Sequence, residues 1–146
     1  MSVASVSISA SVTNIGYRAF QGCGPEILDP RNLFYGSAGG VRFDKNQTTL
    51  NRGVVSGNYT ISNTVTSITD SAFSRANLTS ITIPGSVTTI GDSAFFGCRG
   101  LSNVSIANGV AVIGPFAFYN CFSLRSLTMP PALSSLMMVT SGGVPS

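Results

Sequence analysis

The chain has 146 residues, a formal net charge of +3, and neither histidine nor tryptophan. That length predicts one domain with a core of its own, and a hydrophobic content of 43% argues against disorder. Charged residues make up only 9% of the chain. No basic footprint for nucleic acid is visible, and no run approaches the roughly 18 apolar residues of a membrane span. The missing histidines remove the commonest general base and the commonest neutral metal ligand.

No signal peptide is apparent near Met1. This leaves a cytoplasmic chain, or an excised piece of a longer secreted protein. Three cysteines do not suggest a disulfide framework.

The first organised stretch, Val6 to Cys23, reads VSISASVTNIGYRAFQGC. Its pattern returns in Tyr59–Asn77 (without the cysteine), in Leu78–Gly100 and in Leu101–Ser123. The last two align at a constant offset of 23: Ile83 with Ile106, Val87 with Val110, Gly91 with Gly114, Phe95 with Phe118 and Cys98 with Cys121. A partial copy, Leu124–Leu133, keeps Leu127 and Met129 at the strand positions. About five copies at a period in the twenties predict a solenoid.

Each unit has a physical reading. LxxIxI alternates apolar and polar residues, as a short half-buried strand does. Pro84 stops that strand, because it has no N–H for a ladder. VxxI is a second extended piece, and Gly91 or Gly114 turns the chain after it. AFxxC then folds a small, a large and a sulfur-bearing side chain under the next strand. No unit can bury its phenylalanine alone, so units should stack at about 4.8 Å and share one core. Phe20, Phe73, Phe95 and Phe118, with Cys23, Cys98 and Cys121, are the expected core columns. The cysteine column reads mainly as buried small hydrophobes, with a Cys98–Cys121 disulfide as the other reading. Parallel crossovers predict right-handed coiling.

Between residues 24 and 57 the period fails, and seven of the 13 charged residues gather there. Val41–Phe43, the polar turn Asp44–Gln47 and Thr48–Leu50 read as a hairpin, expected to project from one edge of the solenoid. Arg42, Asp44 and Lys45 are its candidate partner-binding residues, against the alternative of an edge cover. After residue 133 the repeat dissolves. The expected organisation is a repeat domain over 1–133, with residues 134–146 as a C-terminal cap or linker.

The residues between the inward strand positions form two polar columns. One is Ser5, Asn58, Ser80, Asn103 and Ser126; the other is Ser7, Thr60, Thr82, Ser105 and Thr128. They read either as plain soluble surface or as a flat, hydroxyl-rich face for a protein or glycan. Asp70 and Asp92 share one repeat position. They read as turn or cap residues, because a glycosidase pair needs a cleft. No catalytic constellation, metal site or cofactor motif is present in the sequence.

The pattern IxIPxxVxxIGxxAFxxC, carried by Ile81–Pro84, Val87, Ile90–Gly91, Ala94–Phe95 and Cys98, resembles the BspA-like class of leucine-rich repeat. Gly40–Leu50, followed by Tyr59–Ile61, also looks like a segment of such proteins. Ser62 and Ala107 depart from the pattern in place of proline, and Thr69 in place of glycine. The resemblance implies a mainly β, right-handed leucine-rich-repeat solenoid from a bacterial cell-surface or secreted protein, located outside the cell. It implies a non-catalytic role in protein–protein interaction or adhesion, with a structural spacer as the alternative. The expected partner is a protein or a glycan, and both a monomer and an end-to-end dimer remain open.

Overall fold

A computed structural model describes residues 3–16, 18–131, 133 and 135–136. Its strands are short. In chain order they are β1 (Val6–Ile8), β2 (Glu26–Leu28), β3 (Tyr35–Ala38), β4 (Val41–Asp44), β5 (Thr49–Gly53), β6 (Ser56–Thr60) and β7 (Ser67–Ile68). β8 (Asn77–Ile83), β9 (Thr89–Ile90), β10 (Asn103–Ile106), β11 (Val112–Ile113), β12 (Ser126–Thr128) and β13 (Ser135–Leu136) follow. Among the described residues there is no helix.

The LxxIxI pieces form one parallel sheet, ordered β12-β10-β8-β6. The VxxI pieces β7, β9, β11 and β13 form a second parallel column in a seven-stranded sheet. Two extended pieces per repeat, one in each sheet, make the molecule a β-solenoid. β13 pairs with β11 through Val112↔Ser135 and Ile113↔Leu136, so the second column runs past residue 133. The rest of the expected cap over 134–146 lies outside the described residues.

Period-two patterning does what the sequence predicts. In β10 the residues alternate exposed and buried, with Val104 and Ile106 inward. Between the two sheets, the AFxxC turns stack on one another. The rings of Phe73, Phe95 and Phe118 lie 5.2 Å apart at interplanar angles of 5° and 1°, and all three are fully buried. Successive turns are joined by backbone bonds: Phe73 N–H donates to Ala94 O, and Phe95 N–H to Ala117 O.

The turns use left-handed backbone at two recurring places. The first is Arg18, Ser71, Ser93 and Phe116, at φ 58, 56, 55 and 57°. The second is Gly22, Arg75, Gly97 and Asn120, at φ 82, 63, 69 and 63°. Gly91 is required for a different reason: a Cβ there would lie 2.6 Å from the amide nitrogen of Asp70. Gly114 meets Asp92 in the same way. Thr69, one repeat earlier, stacks on strand β5 rather than on a turn, its amide donating to Leu50 O at 3.0 Å. It has room for a side chain and donates its hydroxyl to Asn51 O at 3.1 Å.

The insertion differs from the expected projecting hairpin. β3, β4 and β5 pair antiparallel, and β5 then pairs parallel with β7. The hairpin is therefore a continuation of the second sheet. Val41, Phe43 and Leu50 belong to the main core. An apolar residue at every second position of Val41–Phe43 favours one buried face, and that face packs into the core of the solenoid. The first repeat is set apart from the rest. β1 pairs with β2 in a two-stranded sheet of its own. Fully buried Asn32 ties it down, donating to Ser9 O and Val12 O and accepting from the amides of Phe34 and Tyr35.

Candidate functional site

The four-stranded sheet aligns its polar residues across neighbouring strands. Asn58, Ser80, Asn103 and Ser126 are register partners, and so are Thr60, Thr82, Ser105 and Thr128. The Thr60 row is exposed throughout. Side chains bond across the rungs: Thr79 Oγ1 and Ser80 Oγ each donate to Asn58 Oδ1 at 2.8 Å. The face carries hydroxyls and amides and no charged residue in either row. Ser7 does not extend it. Its register partner is Ile27 in β2, because the insertion separates the first repeat's strand from β6.

Three charged residues of the insertion, Glu26, Arg42 and Arg52, are turned inward. Arg42 and Arg52 face each other on paired strands, an arrangement that repels unless a counter-charge lies between them. Glu26 supplies it. Its Oε2 accepts from Arg42 Nη1 at 2.7 Å and its Oε1 from Arg52 Nη1 at 2.6 Å, with only 4% of the Glu26 side chain exposed. Arg52 Nη2 also donates to the carbonyls of Phe20 and Cys23, and Arg42 lies 5.5 Å over the Tyr35 ring. Arg42 is thus buried structure, and presenting it to a partner would leave Glu26 half-paired. Asp44 is half-buried and holds its own turn, accepting from the amides of Thr48 and Thr49. Lys45 is exposed as a residue, yet its Nζ donates to Asn32 O at 2.6 Å. Sequence reasoning did not find the Glu26 bridge. The carboxylate lies 16 and 26 residues from its two partners, and no local pattern marks such a pairing.

Phe73, Phe95, Phe118, Cys98 and Cys121 lie in the core, but Phe20 and Cys23 are only half-buried. The repeat that would cover them is replaced by the insertion. The three cysteines are free thiols. Cys98 Sγ–H donates to Phe73 O at 3.0 Å, and Cys121 Sγ–H to Phe95 O at 3.2 Å. The column therefore satisfies a carbonyl of the preceding turn as well as filling space. Asp70 Oδ1 accepts from the Asp92 amide at 2.8 Å, so one turn caps the next. Among the described residues no group of three or more Cys, Asp or Glu is placed to hold a metal. Among the same residues no helix is long and apolar enough to cross a membrane.

Stacked repeats, an ordered uncharged face and a core of phenylalanine rungs define a repeat-solenoid protein. The chain belongs to the BspA-type leucine-rich repeat family, whose model matches residues 1–33 and 54–138 in six copies. The unmatched stretch between them is the antiparallel run β3 to β5. Among solved structures, the pneumococcal vaccine antigen PcpA aligns with a TM-score of 0.84 over 94% of this chain, at 20% identity. The chain spans only 35% of that protein. A leucine-rich repeat protein from Bacteroides capillosus aligns at a TM-score of 0.64 and 26% identity, over 73% of this chain and 92% of its own. A leucine-rich cell surface protein from Faecalibacterium prausnitzii aligns at 0.51 and 26% identity, over 64% of this chain and 30% of its own. No curated protein matches the chain.

Proposed function

We propose that this chain is a non-catalytic interaction or adhesion module of a bacterial cell-surface or secreted protein, and that it binds a protein or glycan through the face of its four-stranded sheet. The supporting observation is the Thr60–Thr82–Ser105–Thr128 row, exposed and aligned on four consecutive strands. A rigid, repetitive array of donors and acceptors matches an extended partner at low ordering cost. The surface setting is supported by the family and by the Faecalibacterium cell surface protein.

The spacer reading gains from one observation: the charged hairpin is part of the fold, so it is no longer a feature that a spacer lacks reason to have. Deleting Arg42–Leu50 would remove core strands and cannot separate the two readings. A substitution on the exposed row can. The test is binding to arrays of matrix proteins and glycans, with a Thr82→Lys/Ser105→Lys variant beside the parent chain. Saturable binding that the variant loses, at an unchanged melting temperature, supports the module. Equal binding by both proteins rejects this face, and no binding by either favours the spacer.

A further inference from the structure

The turns that lead from the LxxIxI sheet to the VxxI sheet hold two asparagines at one repeat position. Asn63 lies in the turn at 62–65 and Asn108 in the turn at 107–110, and both are exposed. Of the chain's ten asparagines, only Asn108 is followed by glycine.

The two turns differ in what holds the amide that follows the asparagine. After Asn63, Thr64 N–H donates to Ser62 Oγ at 3.3 Å, and Val65 N–H closes the turn on Ser62 O at 3.0 Å. In the later turn the place of Ser62 is taken by Ala107, which has no hydroxyl. Among the described residues, Gly109 N–H and the Asn108 side-chain amide have no hydrogen-bond partner. Val110 N–H lies outside hydrogen-bond geometry from Ala107 O. Gly109 holds φ 142°, and it has no side chain to keep its nitrogen from a close approach.

We propose that Asn108 and Gly109 form a self-modifying site, at which Asn108 deamidates through a cyclic imide with water as the co-reactant. The Gly109 nitrogen gives its proton to solvent hydroxide and attacks Asn108 Cγ. The Cγ–Nδ2 bond breaks, and the side-chain nitrogen leaves as ammonia. Water then opens the ring. Opening at Cγ gives aspartate, and opening at the Asn108 backbone carbonyl carbon gives isoaspartate, with the chain running through Cγ. One water is consumed, one ammonia is released, and no atom is oxidised or reduced. The product adds a carboxylate just beyond β10, three residues from Ser105, beside a face whose two rows carry no charge. The isoaspartate form also inserts a backbone carbon where there is little room, since a Cβ on Gly109 would overlap the carbonyl oxygen of Gly85.

The test is incubation of the full chain in heavy-oxygen water at neutral and mildly alkaline pH, followed by digestion and mass spectrometry. The free peptide Ser105–Val112 is the unfolded reference. The segment with Asn108 should gain the mass of an amide-to-acid exchange with one solvent oxygen, faster at the higher pH. Its rate should be within about tenfold of the free peptide, because no hydrogen bond has to open first. Asn63 should lag by about tenfold or more, with its following amide tied to Ser62 and a β-branched residue in place of glycine. Ala107→Ser, at an exposed position, returns the hydroxyl and should slow Asn108 about threefold. The proposal is overturned if Asn108 reacts no faster than Asn63, if folding slows it by more than about tenfold against the peptide, or if Ala107→Ser leaves its rate unchanged.

Discussion

The ring of Phe73 lies so close to Gly53 that a Cβ on Gly53 would overlap its Cε1. On its other side Phe73 stacks on Phe95. Gly53 thus stands where a further phenylalanine rung would be, and its missing side chain lets β5 cover the end of the ladder. Gly53→Ala should destabilise the chain by about 1–3 kcal/mol through overpacking. Gly16→Ala, whose Cβ would meet nothing within 4 Å, is the control. Equal thermal shifts for the two variants would show that the Phe73 contact does not limit the fold.

The middle rung carries the largest packing loss. Phe95 is buried between two parallel rings, so Phe95→Ala should cost about 3–5 kcal/mol. Phe20, half-buried beside a cavity, should cost under about 2 kcal/mol on the same substitution. Denaturant melts of both variants check the order, and a reversed order is incompatible with this core.

Glu26 joins the first repeat to the solenoid. Glu26→Ala leaves Arg42 and Arg52 as buried cations without a counter-charge, a loss of about 3–5 kcal/mol. The loss should be local. Amide exchange should rise over residues 5–35 while β8 and β10 keep their protection. A uniform rise across all strands would show that the first repeat and the main stack unfold as one unit.

The repeat was legible in the sequence because Phe95 and Phe118 occupy equal positions and face the same environment. The sheet face was legible for four of its five rungs for the same reason. Ser7 failed because the register between distant copies depends on what the insertion does, and the residue at offset 75 is aligned in sequence without being a neighbour in space. The insertion misled through its charges. Charges usually mark solvent, and only a structure shows Glu26 between two arginines. The alternation of Val41, Phe43 and Leu50 did hold the signal of a buried face.

The buried thiols make stability depend on pH in the alkaline range. Burial pushes Cys98 from 9.0 up to about 12, with neighbouring Cys121 adding to it, and burial pushes Cys121 to about 11. Both stay protonated in the folded chain when the unfolded chain ionises. The contribution is complete below about pH 9 and is lost as pH rises toward 11–12, at about 1.4 kcal/mol per pH unit for each thiol. Burial also raises Tyr59, which acts in the same direction. Urea melts from pH 7 to 10.5 should show the decline, and a Cys98→Ala/Cys121→Ala variant should flatten most of it. An identical slope in that variant would assign the decline to other groups.

Arg75 holds φ 63° where its counterparts Gly22 and Gly97 are glycine. A side chain in this region costs about 1–2 kcal/mol, partly offset by the greater freedom of glycine in the unfolded chain. Arg75→Gly should therefore raise stability by up to about 1 kcal/mol. Gly97→Ala should lower it, with its Cβ 3.3 Å from Arg75 Cγ. A fall in melting temperature for Arg75→Gly would mean that its side-chain contacts outweigh the strain.

Because backbone bonds between successive turns run along the stacking direction, the molecule has a mechanical grain. A pull along the stack loads the rungs in series, and they give way one after another, as a zipper does. The joint between the turns at 18–23 and 70–77 is bridged by the Arg18–Ser71 and Gln21–Ser74 side-chain bonds across a cavity. The turns beyond it are joined amide to carbonyl. Arg52, bonded to the carbonyls of Phe20 and Cys23, and Glu26 fasten the same joint, so side-chain substitutions there can loosen the first repeat while the backbone-bonded rungs stay whole.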